Sequence, residues 1–172
     1  MQATAESRQG AEPFDLDDLD VQLLNIVQVD NQLTAEQLSK RVPLSPSSAL
    51  RRLARLKDIG LIARQVAVLA GEFLDRRASG VVMVQLSRQT SDAIQALKRT
   101  LVGRPQVQML FEISGSFDLM LLVVERDIAA FHAFTSETLA VSPYVQRFEI
   151  SFVKTRLKAT LAVPLDARDT RR

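Results

Sequence analysis

The chain has 172 residues, 22 Lys and Arg against 20 Asp and Glu, one His and no Cys, a length that holds one medium domain or two small ones. At 47% hydrophobic and 24% charged it is globular in composition, and no apolar run approaches the ~18 residues of a membrane span. The absence of cysteine excludes disulfides and thiolate sites, and one histidine leaves little for a triad or a zinc site, so neither catalysis nor a cofactor or metal is expected.

Residues 1–14 are polar and aperiodic, without an apolar signal core, and are expected to form a disordered tail. A helix-turn-helix domain is expected over 15–64. Its first helix starts near Asp17 or Asp18 and carries Leu19, Leu23, Ile26 and Val27 on one stripe. Thr34 to Gln37 fits a capping box that opens a second helix, and Val42-Pro43 ends it. Ser45-Pro46 reads as cap and first residue of a third helix that runs to about Asp58 before Gly60. Residues 61–70 (LIARQVAVLA) have strand character, and 65–79 is assigned as strand and linker.

From Gly80 the texture changes. Strands are expected at 80–86, 107–113, 117–124 and 145–154, with helices at 91–102 and 127–139. The order β-α-β-β-α-β over 80–165 is ferredoxin-like, with a short tail over 166–172. The chain is thus α+β: a winged-type helix-turn-helix followed by a ferredoxin-like β-α-β-β-α-β domain. The strand Phe117–Val124 is apolar on both faces and calls for cover on both, most simply from a second copy of the chain.

Charge is unevenly spread. Residues 1–30 hold seven acids and one base, while 38–64 hold seven bases and one acid, which points the second segment at a polyanion. On the third helix Ser48, Arg51, Arg52 and Arg55 stand at i, i+3, i+4 and i+7, an outward stripe of guanidiniums suited to phosphate and to guanine. Ala49, Leu50, Leu53 and Leu56 are expected to point into the helical core. Ser45, Ser47 and Ser48 lie at the helix start, where recognition helices meet bases, and Lys40 and Arg41 are placed to hold the DNA backbone.

The runs Leu16-Asp17-Asp18-Leu19-Asp20, Gln37-Leu38-Ser39-Lys40-Arg41-Val42 and Leu44-Ser45-Pro46-Ser47-Ser48 with Leu50-Arg51-Arg52-Leu53 resemble the leucine-responsive regulator/AsnC (Lrp/AsnC) transcription factors from about Leu16 to Leu165. Ser114-Gly115-Ser116-Phe117-Asp118 in the second half supports the same resemblance. It implies a sequence-specific DNA-binding regulator in the cytoplasm, with double-stranded DNA as partner, acting as a homodimer that assembles further, often to an octamer. It also implies an amino acid or related small effector bound at an oligomer interface by Gly115 and Asp118; Ser116, which stands where the family often has an acid, and Ser151 are further polar candidates in this chain. Phe148 and Ile150 stand where several amino-acid-binding members carry hydroxyls, which keeps open an architectural DNA-bending protein without an effector.

Overall fold

Each of the first three helices is started by a side chain that accepts from its own first turn. In α1 (Asp18–Val27) the Asp17 carboxylate accepts from the Asp20 N–H at 2.9 Å, and Asp20 accepts in return from the Asp17 N–H at 3.3 Å. Thr34 and Gln37 make the same reciprocal pair at the head of α2 (Ala35–Ser39). Ser45 Oγ accepts from the Ser48 N–H at 3.2 Å to start α3 (Pro46–Asp58), with Pro46 in the first helical position where no N–H is needed. Such caps contribute about 1 kcal/mol apiece, which matters for helices this short. Leu23, Leu38, Val42 and Ala49 form one buried cluster among them, and Leu16, Leu24 and Leu56 a second.

The computed structural model describes residues 14–87 and 91–170, and its contacts divide the chain into two units: residues 1–67 with 159–172, and residues 68–158. The tail expected over 1–14 lies outside the described residues except for Phe14. The end of the chain departs from expectation, because the stretch from Ala159 belongs with the helices rather than with the sheet. Asn25 Nδ2 donates to the Leu165 carbonyl at 2.9 Å and its Oδ1 accepts from the Leu165 N–H at 3.2 Å. Gln28 does the same to Val163, at 3.0 and 2.7 Å. Residues two apart on an extended strand face the same way, so two amides one helical turn apart hold one edge of it. Leu165 packs on the Leu16–Leu24–Leu56 cluster, and a 3₁₀ turn at Ala167–Asp169, capped by Asp166, follows where a tail was expected.

The strand expected over 61–70 does not form. Residues 63–70 pair with no strand, and Val66, Val68 and Leu69 are exposed. β-propensity without a ladder partner does not make a sheet, so no wing flanks α3 among the described residues. Part of the expected linker is instead a single helical turn, α4 (Gly71–Leu74).

The second unit is the expected β-α-β-β-α-β. Its elements are β1 (Ala78–Leu86), α5 (Ser91–Val102), β2 (Val107–Glu112), β3 (Leu119–Glu125), α6 (Ile128–Thr135) continued by a π-helical turn at Ser136–Ala140, and β4 (Val145–Phe152). The sheet order is β2-β3-β1-β4, antiparallel throughout. Val82, Val84, Leu119, Leu121 and Val123 are buried in one cluster with Leu97 and Leu101 of α5 and Phe131 and Phe134 of α6. α6 lies so close to the sheet that a Cβ on Gly80 would stand 2.7 Å from Phe131 Cζ. On the opposite face Val81 pairs with Leu122 and Met83 with Met120, and Met109 and Phe111 continue the patch. None of these is fully buried, so β3 is covered on one face within the chain and not on both.

Candidate nucleic-acid interface and effector loop

The buried side of α3 is set by Ala49 and Leu56. At about 100° per residue, Arg52 lies only about 40° from Leu56 around the helix, whereas Leu50 lies about 120° away. The structure follows that arithmetic. Leu50, expected in the core, is 54% exposed. The outward face is Ser47, Leu50, Arg51 and Ala54, all exposed, and Ser48, Arg52 and Arg55 lie on its flank, partly buried. The outward stripe expected through Ser48, Arg51, Arg52 and Arg55 is therefore rotated toward the core.

Arg52 and Arg55 are engaged by the acids of α1. Arg52 Nη1 donates to Asp17 Oδ2 at 2.7 Å and to Asp20 Oδ1 at 2.9 Å. Arg55 pairs with the other Asp20 oxygen, and its Nη1 donates to the Asp15 carbonyl at 3.2 Å. Asp20 is only 1% exposed, and two guanidiniums with a backbone N–H satisfy it. Burial of Asp17 works to raise its pKa, but the Asp20 N–H and the Arg52 guanidinium outweigh this and hold the carboxyl below its usual range. Asp17 and Asp20 in turn push the Arg52 guanidinium up. These acids and Arg51, Arg52 and Arg55 line an open depression of about 670 Å³ together with Thr170.

Arg51 is placed differently. It is exposed, and its Nη2 donates to Ser48 Oγ at 3.3 Å, which leaves the rest of the fork open to water. Ser45 and Ser47 are exposed at the helix head with their hydroxyls 3.3 Å apart, and Lys40 and Arg41 are exposed where α2 ends. The structure thus brings Ser45, Ser47, Ser48 and Arg51 together at the start of α3.

The loop between β2 and β3 is closed by the Ile113 N–H donating to the Asp118 carbonyl at 2.9 Å. Gly115 has φ +135°, which side chains resist, and nothing lies within 4 Å of where its Cβ would stand. Ser116 is exposed beside it. Asp118 is bound to the end of β1: its N–H donates to the Val84 carbonyl at 2.9 Å, and its Oδ2 accepts from the Leu86 N–H at 2.7 Å. The residue remains exposed, with its other oxygen available.

Ser151 is not brought to this loop. It pairs with Val81, five residues along β1 from Leu86, roughly 17 Å at strand rise. Phe148 and Ile150 lie opposite Val84 and Val82 and pack into the core under the helices, so they do not line the open face. Phe148 and Ile150 therefore do not depolarise the open face, and their side chains give no support to an architectural protein without an effector.

Sequence reasoning missed Arg147. Its guanidinium lies 4.8 Å from the centre of the Phe117 ring, its Nε donates to Gln85 at 2.8 Å, and its Nη1 pairs with Glu149 at 3.1 Å. No single-strand pattern marks it, because only the β1–β4 register brings it to the loop's end of the sheet.

No helix among the described residues is long and apolar enough to cross a membrane. The AsnC-type helix-turn-helix domain matches residues 16–57, and the Lrp/AsnC ligand-binding domain matches residues 79–163. An uncharacterised HTH-type transcriptional regulator of Sinorhizobium fredii is 33% identical over 153 residues, 89% of this chain and 90% of that protein. The Bkd operon transcriptional regulator of Pseudomonas aeruginosa is 34% identical over 151 residues, 88% and 99% of the two chains. A transcriptional regulator of Neisseria meningitidis, solved as its L-Met complex, superimposes with a TM-score of 0.80 at 32% identity, over 88% of this chain and 97% of that one. These are regulators and not enzymes. With both halves matched and the three-helix unit and four-stranded sheet in place, the chain belongs to the Lrp/AsnC family of DNA-binding transcriptional regulators that carry a ligand-binding domain.

Proposed function

We propose that this regulator acts in the cytoplasm as a homodimer or a larger assembly such as an octamer. It binds double-stranded DNA through α3 and responds to an amino acid or related acid held beside the Gly115 loop. One helix-turn-helix buries too little surface for tight specific binding, so two copies are needed, with their third helices about 34 Å apart in successive major grooves. The uncovered apolar sheet face around Met83, Met120 and Leu122 supports a second copy as its cover.

On the DNA side, Ser47, Ser48 and Arg51 meet bases and nearby phosphates, and Ser45, Lys40 and Arg41 hold the backbone. Arg52 and Arg55 add positive charge at the rim while anchored to α1. On the effector side, the open oxygen of Asp118 suits an ammonium group, and Arg147 at the same end of the sheet suits a carboxylate. That pairing fits a zwitterion, the class to which the L-Met of the Neisseria complex belongs. Ser116 supplies a hydroxyl at the rim.

The observation that carries this reading is the exposed Ser47–Arg51 head of a capped helix on a matched regulator fold. The test is a thermal-shift screen of the full chain against the twenty amino acids, followed by titration onto enriched duplexes with and without any hit. We expect one amino acid to raise the melting temperature and change DNA affinity. If no amino acid does either, the sensor half of the reading is lost. Binding that does not weaken with salt would remove the α3 half.

A further inference from the structure

We infer that Leu50 reads sequence: it docks on the C5 methyl of a thymine while Arg51 beside it takes the major-groove edge of a guanine. The inference rests on α3 being the helix that enters DNA, and it changes which side chains do the reading.

The first ground is the orientation of the helix. Ser47, Leu50, Arg51 and Ala54 stand at i, i+3, i+4 and i+7 and are all exposed, so they form the strip that a groove would meet. Arg52 and Arg55, the more conspicuous bases in the sequence, are turned aside onto Asp17 and Asp20.

The second ground is the chemistry of that strip. Leu53 and Leu56 of the same helix are partly or fully buried, but Leu50 presents 54% of its surface to water, with exposed Pro46 before it and Ala54 after it on the same side of the helix. Ser47 and Ala54, a turn to either side, are small enough to let the helix sink until the Leu50 branch touches the groove floor. The thymine methyl is the apolar group that a base pair offers in the major groove. Arg51 is held toward the helix head by Ser48 Oγ at 3.3 Å, and a guanidinium fork matches guanine O6 and N7. The surrounding segment 38–64 carries seven bases against one acid, which favours a polyanion over a protein surface as the occupant of this strip. The half-site therefore contains a thymine next to, or one step from, a guanine.

The full chain is used to enrich duplexes from a random library. Each thymine of the enriched site is then replaced in turn by deoxyuridine, which removes only the methyl. Wild type is expected to bind about three- to fivefold more weakly when one particular thymine of each half-site is changed, the loss appropriate to about one buried methyl. Leu50→Ala is expected to lose a similar factor on the methylated duplex and to be indifferent to the change, with its melting temperature unaltered. The inference is overturned if no replacement weakens wild type, or if replacement costs Leu50→Ala as much as wild type. Arg51→Ala separates the two levels. If it weakens binding while every methyl is silent, α3 still reads DNA and only Leu50 is wrong. If the library yields no enriched sequence, the reading by α3 fails and Leu50 with it.

Discussion

Arg52 of α3 reaches Asp20 of α1 at 2.9 Å, and Asp20 is the only charged residue buried among the described residues. A side chain that composition marks as a DNA ligand thus also fixes the angle at which the reading helix leaves the core. Asp20 has no solvent to fall back on, so its two arginines are a structural requirement and not a loose surface pair.

Replacing Asp20 by Ala should lower unfolding stability by about 2–3 kcal/mol, below the roughly 3–5 kcal/mol of a fully buried pair because Arg52 and Arg55 can partly reach water. Urea titration followed by far-UV circular dichroism measures it. A loss under half a kcal/mol would mean that the pair is dispensable.

Arg51→Ala and Arg52→Ala should part company. The first removes an exposed fork and should leave stability unchanged, weaken DNA binding by about 1–3 kcal/mol, and relax the preference for guanine at one position of the half-site. The second should cost stability first, because it strips Asp17 and Asp20 of a shared donor. Fluorescence anisotropy at several salt concentrations, run beside thermal melts, distinguishes them.

Acid should loosen the same junction. The Asp17 pKa is depressed in the folded state, so its stabilising effect is fully present above the ordinary value of 3.8 and is lost as pH falls through the lower folded value. Asp17→Asn keeps a capping oxygen but no charge. Its stability deficit relative to wild type should therefore be constant from neutral pH down to about 4 and shrink below that. A deficit that persists unchanged in strong acid would show that the charge is irrelevant.

These residues show where the sequence was readable and where it was not. Caps and apolar periods are local, so Asp17, Thr34 and Ser45 and the alternation of helix and strand could be read directly. The facing of α3 could not, because the carboxylates that turn Arg52 and Arg55 aside sit 32 to 35 residues away, at α1. The type of Leu50 points it inward, whereas its angular distance from Ala49 and Leu56 around the helix points it out. Phe148 and Ile150 escape a local reading for a related reason: which parity of β4 faces the helices depends on its register with β1, and that is long-range. Residues 61–70 had strand composition and no partner.

Close packing of α6 on β1 gives a further expectation. Gly80→Ala would put a methyl into the Phe131 ring and should cost about 1–3 kcal/mol. Phe131→Leu in the same chain should recover part of that loss, which a double-mutant cycle in urea would reveal as a coupling. Purely additive losses would mean that the ring is not the obstacle.

Asp118→Ala should abolish any amino-acid-induced change in DNA affinity while leaving binding by the effector-free protein intact. It should also loosen the end of β1, since the Leu86 N–H loses its acceptor. Gly115→Ala tests the loop without touching the carboxylate, and strain at φ +135° should lower stability by about 1 kcal/mol or more. A surviving response in Asp118→Ala would place the effector elsewhere.

The clasp of Asn25 and Gln28 on Leu165 and Val163 joins residues some 140 positions apart. Translation delivers the helices first and their fastening segment only after every strand of the sheet has been synthesised. A nascent helix-turn-helix is thus unfinished for nearly the whole of synthesis, and its last bonds close only when the regulatory half is already made.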